Sequence, residues 1–366
     1  MSRPLNRIHV AGFKSIRDQT IELRPLNVLI GANGSGKSNL IAVFELLHAI
    51  VGARLQTYIG MEAGAERLLY LGRKTTEEIS LHLSFARNAY LCTLTPTAAN
   101  RLVFKEETVF YHGPGHDQPS SEFLGSGHEE SRLHEKSQAR KGRTIADHVI
   151  DAFRSWRVYH FHDTSRSSKI KTPSKIADNR WLREDASNLA AYLFLLKSRH
   201  SDHYRNIVEV IRLAAPFFLD FQLEPNRLSP EMIGLEWRQR DSDAYFDAHA
   251  LSDGTLRFIC LATLLLQPEL PSTILLDEPE LGLHPYAVHL LADLLKSTAT
   301  RTQVVVATQS VTLVDQFEPE DLLIVDRVEG ASEFRRPSEI DLTEWLEDYT
   351  LGDLWQKNVF GGRPRR

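Results

Sequence analysis

Cysteine is nearly missing: the 366-residue chain holds two, Cys92 and Cys260, far apart and each in an apolar context. They supply neither a disulfide framework nor a metal-binding spacing, so a reducing, cytoplasmic home is expected. Long apolar runs are missing too, and none approaches the length of a transmembrane helix, so no membrane partner is expected. Residues 1–24 alternate polar and apolar positions and read as strands, not as a secretory leader. No heptad pattern or internal repeat runs through the chain, which excludes a long coiled coil.

What is there is ordinary globular composition, 42% apolar and 25% charged, with room for two or three compact lobes. The net charge of −5 is unevenly spread: residues 132–183 hold 13 Lys/Arg against 5 Asp/Glu, a net of +8 that leaves −13 elsewhere. A basic segment in an acidic protein is either a polyanion-binding surface, for DNA among others, or a solvated face.

The most informative stretch is Gly31-Ala-Asn-Gly-Ser-Gly-Lys37-Ser38. It follows an apolar run, Leu26 to Ile30, and opens into residues 39–51, where Leu40, Phe44, Leu47 and Ile50 recur at helical spacing. Strand, Gly-rich turn and helix start are the context a phosphate-binding loop requires. The glycines let backbone N–H groups approach phosphate oxygens, and the helix N-terminus adds partial positive charge. Lys37 is expected at the β- and γ-phosphates of ATP, and Ser38 at Mg²⁺.

Thr273-Ile-Leu-Leu-Asp277-Glu278-Pro279 is an apolar strand ending in two carboxylates. At the C-terminal end of a parallel strand, Asp277 is placed to hold Mg²⁺ and Glu278 to orient and deprotonate a water. Leu251-Ser252-Asp253-Gly254-Thr255 precedes an apolar helix, with Ser252 as N-cap and Asp253 at its positive end. From Leu251 onward, helices alternate with apolar strands, including 273–276, 303–307 and 321–325, the pattern of a parallel sheet covered by helices. Strand-like runs at 78–85, 90–94 and 101–111 suggest an antiparallel meander. Residues 112–143, with five glycines and His112, His116, His128 and His134, read as a long exposed loop whose histidines match no ligand spacing. Helices are expected over 144–156, 187–199 and 203–214, and paired strands at 221–224 and 232–238.

These elements, in this order, resemble the ABC-type ATPases of the RecF/SMC/OLD group, and more narrowly a short RecF-like ATPase family of bacteria. The carrying segments are Gly12-Phe-Lys-Ser15, residues 31–40, Tyr159-His-Phe-His-Asp-Thr164, residues 251–257, residues 275–285, Val306-Ala-Thr-Gln-Ser310 and the ending from Leu351 through Gly361 to Pro364. The resemblance implies an α/β P-loop ABC-type ATPase head: a mostly parallel sheet core with an antiparallel β flank and a helical insert lobe. Residues 1–111 would form the N-terminal ATPase half, 112–220 a loop and helical lid, and 221–366 the C-terminal half. Asn33, Gly34, Ser35, Gly36, Lys37, Ser38 and Asn39 would cradle ATP, with Ser38 and Asp277 at the metal. Glu278 would be the catalytic base, and Gln309 a γ-phosphate sensor where transporters have His. Ser252 and Gly254 would act on the nucleotide of the opposite subunit, closing a homodimer around two ATP molecules. Gly282–His284 would be the loop coupling the two sites, and His162 or Asp163 would take the Q-loop position.

The interval between the motif halves holds no coiled coil, and 56 residues follow Ser310, too few for a nuclease domain. Two roles are left open. One is regulation of a separately encoded effector, a nuclease or toxin in phage defence. The other is a DNA-binding ATPase of recombination or repair, with residues 132–183 contributing phosphate contacts.

Overall fold

The computed structural model describes residues 4–113, 118–138, 142–337 and 343–362. Two six-stranded sheets organise them. The first runs, in spatial order, Ile16–Glu22, Arg7–Phe13, Ile79–Phe85, Asn88–Pro96, Leu102–Tyr111 and Ser120–Gly125, antiparallel throughout. The second runs Ala331–Arg335, Leu322–Val328, Leu26–Ile30, Gln303–Thr308, Thr273–Asp277 and Trp156–Tyr159. Its pairings are parallel apart from the edge hairpin of residues 322–335.

The strands Leu26–Ile30 and Gln303–Thr308 are buried at every position, as expected where helices cover both faces. The two-residue period then divides them. Val28, Ile30, Ile274, Leu276, Val304 and Val306 enter one core, with the helices Leu189–Arg199, Ser201–Ala214, Asp253–Leu266 and Pro285–Ala299. Leu29, Leu275, Val305 and Ala307 enter the other, with the helices Lys37–Val51 and Ile145–Ser155 and the inner face of the antiparallel sheet. Trp156, fully buried, meets Phe44 and Phe85 edge-on at 5.9 and 5.6 Å and so joins both sheets to the helix after the phosphate loop. Cys92 and Cys260 are free and lie in different cores, which excludes a bridge between them.

Three expectations change. The helices between 144 and 214 do not share one lobe: Ile145–Ser155 packs in the second core, and the two later helices pack in the first. The reason is the edge strand Trp156–Tyr159, which carries the chain past the sheet between them. Residues 112–143 are not a plain loop either. They add the strand Ser120–Gly125 and the helix Leu133–Gln138, with Leu124 and Leu133 buried. The run 232–238 splits, with Met232–Ile233 pairing Ser174–Lys175 and Glu236–Gln239 pairing Phe218–Gln222. His116, Leu342 and Pro364 lie outside the described residues. The ending does fold back: Leu354 and Phe360 are fully buried, and Trp355 Nε1 donates to the Gly362 carbonyl at 3.3 Å.

The histidine segment is anchored by a buried carboxylate. Glu107, wholly buried, accepts from Tyr90 Oη, Ser131 Oγ and the Arg132 amide, and pairs with His128 Nε2 at 2.9 Å. Removing one side of such a network leaves several buried donors unmatched. Glu107→Ala is therefore expected to lower unfolding stability by about 3–5 kcal/mol, read from urea denaturation. A loss under about 1 kcal/mol would mean that the network relaxes around the gap.

Candidate active site

The phosphate loop turns between the buried strand and the helix Lys37–Val51. Gly36 caps that helix with φ 116°, and a Cβ there would lie 1.9 Å from Ser332 Oγ. Side chains from distant strands hold the loop. Ser332 Oγ donates to the Ser35 carbonyl at 2.5 Å, and Arg327 donates to the Gly34 carbonyl at 3.0 Å. Ser15 Oγ touches Ser332 Oγ at 2.5 Å and accepts from Asn39 Nδ2 at 2.6 Å. The Gly12–Ser15 segment thus serves the loop from behind.

Lys37 is buried, its Nζ donating to the carbonyls of Gly31 at 2.7 Å and Ala32 at 3.1 Å. Burial holds its ammonium below the ordinary lysine range, against the pull of Glu278, Asp277 and Glu280. Ser38 Oγ donates to Asp277 Oδ2 at 2.9 Å, across 239 residues of sequence. Asp277 Oδ1 is sealed from solvent without a hydrogen-bond partner among the described residues. A hydroxyl and a carboxylate with a spare oxygen fit Mg²⁺, which takes few protein oxygens and completes its shell with water and phosphate. Among the described residues no group of three or more His, Cys, Asp or Glu could hold a metal ion.

Glu278 has φ 42°, rare for a residue with a side chain, and its amide donates to the Ala307 carbonyl at 2.8 Å. Gln309 Nε2 donates to Glu278 Oε1, so the strand Gln303–Thr308, the switch strand, and the carboxylate strand Thr273–Asp277 meet at their C-terminal ends. Lys37, Ser38, Asp277, Glu278 and Gln309 therefore form one constellation beyond the C-terminal ends of three neighbouring parallel strands.

Ser252 stands apart from it. The residue is exposed, and its Oγ accepts from the Thr255 amide at 3.2 Å as the cap of the helix Asp253–Leu266. Gly254 packs on the loop after Glu278, where a Cβ would lie 2.2 Å from the Gly282 carbonyl. Of the two Q-loop candidates, Asp163 caps its own turn through Ser165. His162 lies in the field of Asp277 and Glu278; burial first, then the Arg257 guanidinium, hold it below the ordinary imidazole range. Arg257 donates to the carbonyls of Phe161 and His162 at 3.0 and 3.2 Å, tying the helix Asp253–Leu266 to this segment.

Sequence reading passed over Arg257, Glu280, Arg327 and Ser332. Glu280 carried a signal, since it is a third acid within four residues; Ser332 carried none. The basic segment is less free than its charge suggests. Arg132, Lys136, Arg143, Arg157, Lys169, Lys171 and Arg183 all sit beside acids, Lys171 at 3.5 Å from Asp253.

No curated protein matches the chain. Among solved structures, the Smc head bound to the C-winged helix domain of ScpA is 17% identical, with a TM-score of 0.57 over 94% of this chain and 99% of that one. An Smc head with an extended coiled coil, bound to the C-terminal domain of ScpA and derived from Pyrococcus furiosus, is 16% identical with a TM-score of 0.53, covering 94% and 99%. At these identities the likeness establishes the fold, that of an SMC-type ATPase head. Among the described residues no helix is long and apolar enough to cross a membrane. A family model described as "AAA domain, putative AbiEii toxin, Type IV TA system" matches residues 26–315. The chain belongs to this AAA-domain family.

Proposed function

We propose that the chain hydrolyses ATP, and that ATP closes two copies into a dimer that regulates a separately encoded effector, a nuclease or toxin of phage defence. The observation that carries the hydrolysis is the meeting of Ser38 with Asp277 and of Gln309 with Glu278 at the mouth of the phosphate loop.

Lys37 would leave its loop carbonyls for phosphate oxygens, and the loop amides would accept the remaining charge. Mg²⁺, held by Ser38 and Asp277, would neutralise charge on the β- and γ-phosphates. Glu278 takes a proton from water as the water oxygen bonds to the γ-phosphorus. The bond from that phosphorus to the bridging oxygen breaks, and ADP leaves with the electron pair. Gln309 keeps the carboxylate aimed, as a neutral donor that does not titrate near pH 7.

Dimerisation is supported by the exposure of Ser252 and of two apolar residues after the carboxylates, Leu281 and Tyr286, each 51% exposed. Ser252→Arg should therefore leave binding of a fluorescent ATP analogue within about twofold yet lower turnover by tenfold or more. Unchanged turnover in that variant would mean that the site is complete in one subunit.

An effector is favoured over DNA because several cations of the basic segment, Arg143, Arg157 and Arg183 among them, are paired with acids, and because the family description names a toxin system. The deciding experiment is phosphate release by the purified protein with and without duplex and gapped DNA. Turnover indifferent to DNA is expected; strong stimulation by DNA would replace the effector reading with the DNA one.

A further inference from the structure

Two residues beyond Glu278, a second carboxylate faces the same strand end. Glu280 Oε1 accepts from Thr308 Oγ1 at 2.5 Å. Its other oxygen, Oε2, is sealed from solvent with no partner among the described residues. Because the Thr308 hydroxyl proton points at Glu280, its lone pairs are free for the Ser310 amide, which donates to Thr308 Oγ1 at 2.9 Å. Ser310 Oγ in turn accepts from the Leu313 amide at 3.2 Å and starts the helix Val311–Val314.

Gln309 thereby sits between two held neighbours, Thr308 bonded to Glu280 and Ser310 bonded to Thr308, while its side-chain amide serves Glu278. We propose that Glu280 is a positioning residue, fixing the turn at 308–310 so that Gln309 reaches the Glu278 carboxylate. The inference rests on the ATPase reading for its kinetic consequence, but the contact itself can be tested without it. A buried carboxylate with one unmatched oxygen beside a second acid costs stability. A neutral residue would fill the place at less expense if no geometry depended on it.

The test is a double-mutant cycle on the full-length protein. Glu280→Ala is expected to lower kcat about tenfold, the worth of one charge-assisted hydrogen bond, with KM within about twofold. Gln309→Ala should cost about the same, and the pair together no more than either alone, because both act through one contact. Thr308→Val removes the donor without touching Glu280, and it guards against an Ala variant that fails to fold. Hydrogen–deuterium exchange over residues 306–312, without nucleotide, should quicken in Glu280→Ala and in Thr308→Val.

Multiplicative losses of about a hundredfold in the double variant would overturn the inference, because they would mean that Glu280 acts independently of Gln309. Unchanged exchange over 306–312 in both Glu280→Ala and Thr308→Val would overturn it as well. A wild type that releases no phosphate sinks the ATPase reading, and the exchange comparison then decides the contact alone.

Discussion

Glu278→Gln is expected to lower ATP turnover by about 10²–10³-fold while ATP still binds. The amide has the size of the carboxylate and can still accept from Gln309 Nε2, so the left-handed backbone at 278 and the packing around it need not change. What it loses is the ability to take a proton from water. Lys37, Ser38 and Asp277 are untouched, so nucleotide and metal affinity should stay within a few-fold. If ATP bridges two subunits, the variant should accumulate as a dimer in saturating ATP and Mg²⁺, seen by light scattering beside phosphate release. A monomer under those conditions would sink the sandwich mechanism. Turnover within threefold of wild type would remove Glu278 as the base.

Lys37→Ala should weaken ATP binding by at least a hundredfold, roughly 3 kcal/mol, and leave no measurable turnover. The lysine lies in the fields of three acids, Glu278, Asp277 and Glu280. Without it, an incoming polyphosphate meets carboxylates with only loop amides to offset them. Its two hydrogen bonds to Gly31 and Ala32 brace the loop as well, so the variant loses preorganisation along with charge. Titration with a fluorescent ATP analogue measures the loss. Affinity within threefold of wild type would mean that this loop is not where the phosphates sit.

The phosphate loop, the carboxylate strand and the switch strand were legible because each pairs a local pattern with a chemical need. A buried run ends, and glycine or an acid stands at its C-terminal end. The two cores were legible in part, since strands such as Gln303–Thr308 are too apolar to be anything but covered on both faces. Residues 112–143 misled because polar composition reads as loop, whereas Ser120–Gly125 is an edge strand with a single buried residue, Leu124. Charge counting misled over residues 132–183 for another reason. The partners of Arg157 and Lys171 are Glu184 and Asp253, outside the counted window. Ser332 was invisible because its role follows from a hairpin folding back across the sheet to within 2.5 Å of the Ser35 carbonyl.

The central strand Leu26–Ile30 takes both its neighbours from the far end of the chain, Gln303–Thr308 on one side and Leu322–Val328 on the other. Asn27 Nδ2 reaches the Val304 carbonyl across 277 residues. During synthesis the ribosome releases this buried strand long before either of its partners. Over that interval the nascent chain carries an unpaired, sticky segment, however complete its glycine loop. Folding of the parallel sheet thus waits for residues 303–328, and a ribosome stalled before residue 303 would present a substrate for chaperones.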